Sequence, residues 1–341
     1  MLSRLLRGAA ILTAIAQGAA CASAAPQASG AESKSRPARI SFSSHGAHHT
    51  LSLKDRVNIF DSVAFASPAA IAYDPERDLY WVSNLNGDDG PGNGFISRLE
   101  PTAERSTLNF IDARRQGITL LSPRGLAVFN DVLYVADAKA IRRFKATSGE
   151  PLGDIDIPGA LFLSDVAVAV DGSIYVADVG SDPNEAAVAD TGDDAIYQVS
   201  PAGQVSVVAR RANLGGPYAL IADETGLWVA CTGSSELLLL VPSGSGAPVA
   251  DAGRLSLPGA SPRGLVGMPD GTFLISSEAT GSVYRGFRDG PFQPVITGLE
   301  SPADLGYDSR RKRLLIPLLS GHSLAIFDVA LLEPEAPKKK P

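Results

Sequence analysis

The tetrapeptide Ser-Pro-Arg-Gly occurs twice in this chain, at Ser122 to Gly125 and at Ser261 to Gly264. A guanidinium is a planar fork of N–H donors matched to a carboxylate or phosphate. Aligning the flanking residues puts Ser164 of FLSDVAV and Tyr218 of GPYALIA at the place of the two arginines, which adds two hydroxyl donors. Arg124, Ser164, Tyr218 and Arg263 therefore read as a seat for an anion. The competing reading pairs both arginines internally, with Asp137, Asp178, Glu278 or Asp304 as the acids. Nucleophilic chemistry is poorly supplied: of four histidines, three (His45, His48, His49) fall in SHGAHHT. That cluster lacks a Cys or a regularly spaced third ligand for a transition metal and reads as a polar lead-in. His322 stands alone in the turn SGHS, with no GxSxG elbow, dinucleotide loop or phosphate loop in the chain. Cys231, in LWVAC, reads as a buried structural thiol. Two acidic loops, NLNGDDGPGNG (84–94) and VGSDPNEAAVADTGDD (179–194), have ligands for calcium, but neither matches a calcium-loop template.

The elements that carry these residues are short strands. Ser122 to Phe144, SPRGLAVFNDVLYVADAKAIRRF, reads as strand, turn at Asn130 and Asp131, strand, strand. Its opening returns as SPAAIAY at Ser67, FLSDVAV at Phe162, GPYALIA at Gly216, SPRGLVG at Ser261 and SPADLGY at Ser301, six entries in all. Second strands follow as YWVSN, LYVAD, IYVAD, LWVAC, FLISS and LLIPL, and third and fourth strands after them. The sixth unit ends after three strands, so the segment around Asn58 to Phe60 is expected to supply its fourth and close a ring. Four short strands per unit with a donated closing strand specify an all-β, six-bladed β-propeller of four-stranded antiparallel blades. The ring is expected over residues 51–330. On this geometry the entries ring one mouth of the central channel, with Arg124 across from Arg263.

Bulk properties narrow the partners. The formal net charge of −7 argues against nucleic acid, which is bound through dense fields of Lys and Arg. Arg4 and Arg7, an apolar run over residues 9–16 and Ala22-Ser23-Ala24 have the grammar of a secretory signal peptide over 1–24. Cleavage after Ala24 removes two arginines and no acids, taking −7 to −9, and places the protein in the periplasm or outside the cell. A lipoprotein reading would acylate Cys21, but Gly18 occupies a place that normally holds a branched apolar residue. Residues 25–50 read as a flexible leader and 331–341, with Lys338 to Lys340, as a disordered tail. No apolar run after the leader is long enough to cross a membrane.

The entries SPRGLAV and FLSDVAV, the LYVAD strands, GNGFISRL and SPADLGYD resemble the senescence-marker-protein/gluconolactonase superfamily of six-bladed propellers, and are similar to NHL repeats. The resemblance implies a divalent cation, often calcium, at the channel mouth, held by a Glu, two Asn and an Asp. Carried over residue by residue, the Asn positions are Ser164 and Tyr218, the Asp is Arg263, and the Glu falls near Pro68 or Ala69. None is retained, and an arginine at a carboxylate position puts positive charge into a cation site. Asp165 and Asp304, one place further on, are the remaining candidates for a shifted metal site; alternatively, they satisfy backbone groups at the strand entries.

These readings converge on an exported propeller that binds a small anionic molecule or a protein partner at its channel mouth and lacks lactonase activity. The alternative is a metal-dependent lactone or ester hydrolase. A scaffold that uses a propeller face for assembly is a third reading.

Overall fold

A computed structural model describes residues 41–44, 47–50, 57–60, 63–86, 92–102, 105–180, 193–210, 213–241 and 250–332. They form six radial sheets. In blade 2 the strands run from the channel outward as Pro123–Phe129, Val132–Asp137, Ala140–Lys145 and Pro151–Asp156. The turn is legible in its chemistry: Asn130 and Asp131 both take positive φ, 50° and 62°, the two-residue hairpin geometry these residues tolerate. The second strand is largely buried and reads as a nearly continuous apolar run because neighbouring blades cover both its faces. The outermost strand is exposed along almost its whole length. Blades 1, 3, 4 and 5 repeat this order from inner strands Pro68–Asp74, Leu163–Val168, Pro217–Asp223 and Pro262–Gly267.

Blade 6 closes the ring. Gly306–Asp308, Arg313–Leu318 and Ser323–Asp328 come from the end of the chain, and Val57–Ile59 pairs antiparallel with the last of them. The closure expected around Asn58 is therefore present, with Asn58 opposite Ile326. Its inner strand departs from expectation: the regular strand is Gly306–Asp308, with an isolated bridge from Pro302 to Leu318, and between the two the Asp304 N–H bonds to the Ala69 carbonyl of blade 1. Residues 41–50 also differ from a leader. Ser41–Ser44 and Ala47–Thr50 form a hairpin, and Ser41 pairs with Thr297 on the outer strand of blade 5. The leader through residue 40, residues 51–56 and the tail from 333 lie outside the described residues.

The core lies between blades. Trp81 and Ile96 of blade 1 pack with Leu133 and Phe144 of blade 2, and each of the four is at most 2% exposed. Near the axis, spacing is set by glycine. A Cβ on Gly264 would stand 2.4 Å from the Leu305 amide nitrogen and 2.8 Å from the Ala303 carbonyl oxygen. Both are backbone atoms and cannot swing aside, so Gly264→Ala is expected to cost about 2–3 kcal/mol by overpacking. Gly253, whose Cβ would meet nothing within 4 Å, supplies the control. Urea midpoints compare the two, and equal midpoints would contradict this packing.

Candidate functional site at the channel mouth

The third residues of the six entries are, in chain order, Ala69, Arg124, Ser164, Tyr218, Arg263 and Ala303. Tyr218 joins the two arginines. The Arg124 Nη1 donates to the Tyr218 hydroxyl at 3.0 Å, and the Arg263 guanidinium carbon lies 4.5 Å from the Tyr218 ring centroid. The first bond spans from blade 2 to blade 4. The Ser164 hydroxyl approaches the Ala177 and Pro217 carbonyl oxygens at 3.4 and 3.2 Å and takes no part in the arginine network.

The two arginines differ in their charge partners. Arg263 is bound by Glu278, whose Oε2 accepts Nε at 2.7 Å and Nη2 at 2.6 Å, while Ser301 donates to Oε1 at 3.1 Å. Burial works against the Arg263 charge, but the Tyr218 phenol and the Glu278 carboxylate outweigh it and hold its pKa above the ordinary arginine value. Internal pairing is thus realised for Arg263. Arg124 has no carboxylate partner among the described residues. Its guanidinium carbon stacks 4.4 Å from the Phe162 ring centroid, and its Nε is buried without a hydrogen-bond acceptor.

The acids that could have paired with Arg124 are used to build the entries. Asp137 accepts the Leu121 and Ser122 N–H groups at the start of its own blade and binds Arg142. Asp178 does the same for Leu161 and Phe162. The competing sequence reading offered both as candidate partners for the arginines; the signal for their actual role is their recurrence at the end of the LYVAD and IYVAD strands, where each entry passes alongside. This hydrogen bonding fixes the backbone that presents Arg124.

One residue further along, the inner strands read Ala70, Gly125, Asp165, Ala219, Gly264, Asp304, a three-blade pattern given twice. Each inner strand turns an unpaired edge toward the channel. Asp165 covers two such edges, accepting the Val166 and Leu220 N–H groups at 2.7 Å each. Asp304 accepts backbone N–H bonds from Leu305 and Leu265. The strand-entry role weighed for these two carboxylates is therefore the one the structure shows. Burial raises both above the usual carboxylate range, and the Asp165 charge raises Asp304 further.

The position at which the resemblance implies a cation does not fit a hard cation here. Tyr218 is stacked under a guanidinium, Arg263 is a cation itself, and the Ser164 hydroxyl is engaged by carbonyls. No group of three His, Cys, Asp or Glu among the described residues could hold a metal ion. Parts of both acidic loops weighed for calcium, 87–91 and 181–192, lie outside the described residues. His322 Nδ1 accepts the Ser67 N–H at 2.9 Å, tying blade 6 to blade 1 as a turn residue. Burial pushes the Cys231 thiol up to about 12, which leaves it protonated and unreactive at neutral pH. A cavity of about 170 Å³ between blades 3 and 4, lined by Tyr175, Val208, Leu227 and Leu240, sits at the opposite end and shares no residue with the mouth. Among the described residues no helix is long and apolar enough to cross a membrane.

No family model matches the chain, and no curated protein matches it in sequence. Solved structures share its fold. A gluconolactonase from Xanthomonas campestris is 20% identical, with a TM-score of 0.63 over 85% of this chain and 94% of that one. A streptogramin B lyase is 10% identical, with a TM-score of 0.54 over 81% and 99%. Virginiamycin B lyase from Staphylococcus aureus is 10% identical, with a TM-score of 0.57 over 80% and 99%. The expected likeness to gluconolactonase-type propellers is therefore present in the fold. At these identities fold is what is shared, since one propeller hosts unrelated functions.

Proposed function

We propose that this propeller binds a small anionic molecule at its channel mouth and does not carry out lactone hydrolysis through the family's metal. The observation that carries the reading is Arg124: a guanidinium held by a ring and a hydroxyl, with a buried Nε and no acid to neutralise it. An uncompensated cation in a partly enclosed site attracts an anion. Of the two partner classes the sequence left open, a small molecule fits better, since the cation is recessed among Phe162, Tyr218 and the entry loops.

Titration calorimetry with a panel of organic anions and inorganic phosphate tests this. Arg124→Ala is expected to weaken the best anion by about 10- to 100-fold, the worth of a charge-assisted hydrogen bond pair. Arg263→Ala is expected to weaken it less, because Glu278 already occupies that guanidinium. Unchanged affinity in Arg124→Ala would remove the site. Turnover of lactones that a chelator abolishes would establish the hydrolase instead.

A further inference from the structure

We infer that the anion is a small monocarboxylate seated on the Nε–Nη2 edge of Arg124, in the place that Glu278 fills on Arg263 three blades away. The inference rests on the reading of the mouth as an anion site, and it specifies the charge, the shape and the atoms met.

The argument is one of internal symmetry. Blades 2 and 5 share Ser-Pro-Arg-Gly, and their entry prolines occupy the same register: Pro123 opposite Asp137, and Pro262 opposite Ser277. The next residue along the second strand is Ala138 in blade 2 and Glu278 in blade 5. Glu278 puts one carboxylate oxygen against both Nε and Nη2 of its arginine. In blade 2 the connection to the third strand is shorter, with residues 138–139 between strands instead of 278–281. No acid stands at the matching place, and the Arg124 Nε is left without an acceptor. Each guanidinium rests on a ring, Arg263 on Tyr218 and Arg124 on Phe162, and Tyr218 contacts both. The ring support lies on opposite sides: Arg263 rests on a ring of the preceding blade and Arg124 on a ring of the following one, where the counterpart of Phe162 is Ser301. One copy of the repeat thus contains its own carboxylate and the other has the donors alone.

Charge selects among anions. Glu278 neutralises Arg263, so the pair of arginines offers a single uncompensated positive charge. That suits a monoanion, whereas a phosphate dianion would need a second free cation. The fork geometry favours two oxygens in a plane, as in a carboxylate. Since Nε is shielded from solvent, the proposed seat requires the guanidinium to shift on the Phe162 ring to admit the carboxylate.

The experiment titrates acetate, benzoate and inorganic phosphate into the wild type, Arg124→Lys, Arg124→Ala and Glu278→Ala. The carboxylates should occupy one site, with phosphate weaker. Arg124→Lys keeps the charge but loses the fork and should lose about tenfold in affinity. Glu278→Ala should raise the carboxylate stoichiometry from one to two by freeing Arg263. Glu278→Gln serves if the alanine variant does not fold. Wild-type affinity in Arg124→Lys, phosphate as tight as carboxylate, or a stoichiometry of one without Glu278 would each overturn this placement while leaving an anion site. Absence of saturable binding of any probe by the wild type, or undiminished binding by Arg124→Ala, would remove the anion site itself.

Discussion

Asp137→Ala is expected to lower the stability of the propeller by about 3–5 kcal/mol, the largest loss we anticipate from any single side-chain truncation. The Asp137 side chain is 0% exposed and that of its partner Arg142 10%. One oxygen accepts the Leu121 and Ser122 N–H groups at 2.8 and 2.5 Å, and the other accepts the Arg142 Nε at 2.7 Å. Truncation leaves two amides and part of a guanidinium without their acceptor in a place water does not reach. Arg142 keeps Asp154 at 2.6 Å, which limits the damage. Asp137→Asn retains an oxygen for the amides and gives up only the charge, so about 1–3 kcal/mol is expected. Urea midpoints read both. A loss below about 1 kcal/mol for the alanine variant would contradict the stapling role. Because Asp137 holds the backbone that presents Arg124, the alanine variant should also weaken anion binding in proportion to its loosened entry.

The same residue shows what could be read from the chain before its structure. The repeat was legible because each strand is bounded by residues whose backbone preferences are strong: Asn130 and Asp131 in the hairpin, prolines at the entries, Asp and Gly at the turns. The missing fourth strand of blade 6 was legible by subtraction. What could not be read was which acid meets which base. Asp137 and Glu278 both follow a Ser-Pro-Arg-Gly strand, yet one staples the entry and the other pairs with arginine, because they differ by one residue in register and so project differently. The shortened inner strand of blade 6 was hidden for a similar reason. SPADLGY matches its siblings in pattern, but the backbone of Asp304 is claimed by blade 1. Contacts between blades depend on the third dimension of the repeat, which a one-dimensional alignment does not contain.

The second large effect expected is a fall in stability as pH rises, flattened by Asp304→Asn. Asp165 is 5% exposed and Asp304 is partly buried. Burial raises the pKa of Asp165 to about 7, against the pull of its two backbone N–H bonds. The same burial, with the Asp165 charge added, raises Asp304. No cation offsets them: the effects on the pair come from burial, backbone amides and each other. In the unfolded chain both ionise near pH 3.9. Between that pH and about 7 the folded state therefore binds more protons than the unfolded one, and stability declines as pH rises through this window. Once both carboxyls have ionised in the folded state as well, this contribution is flat. Asp165 alone should contribute roughly 4 kcal/mol to the fall, given about 1.4 kcal/mol for each tenfold difference in proton affinity and a roughly thousandfold difference between the folded and unfolded chain. Asp304→Asn keeps an acceptor for the Leu265 and Leu305 amides, cannot ionise, and relieves Asp165 of a like charge. The variant should match the wild type near pH 4, exceed it in Tm at pH 8, and show a shallower slope between. Parallel Tm profiles for the two proteins would mean that the channel aspartates do not share the strain of a single buried charge.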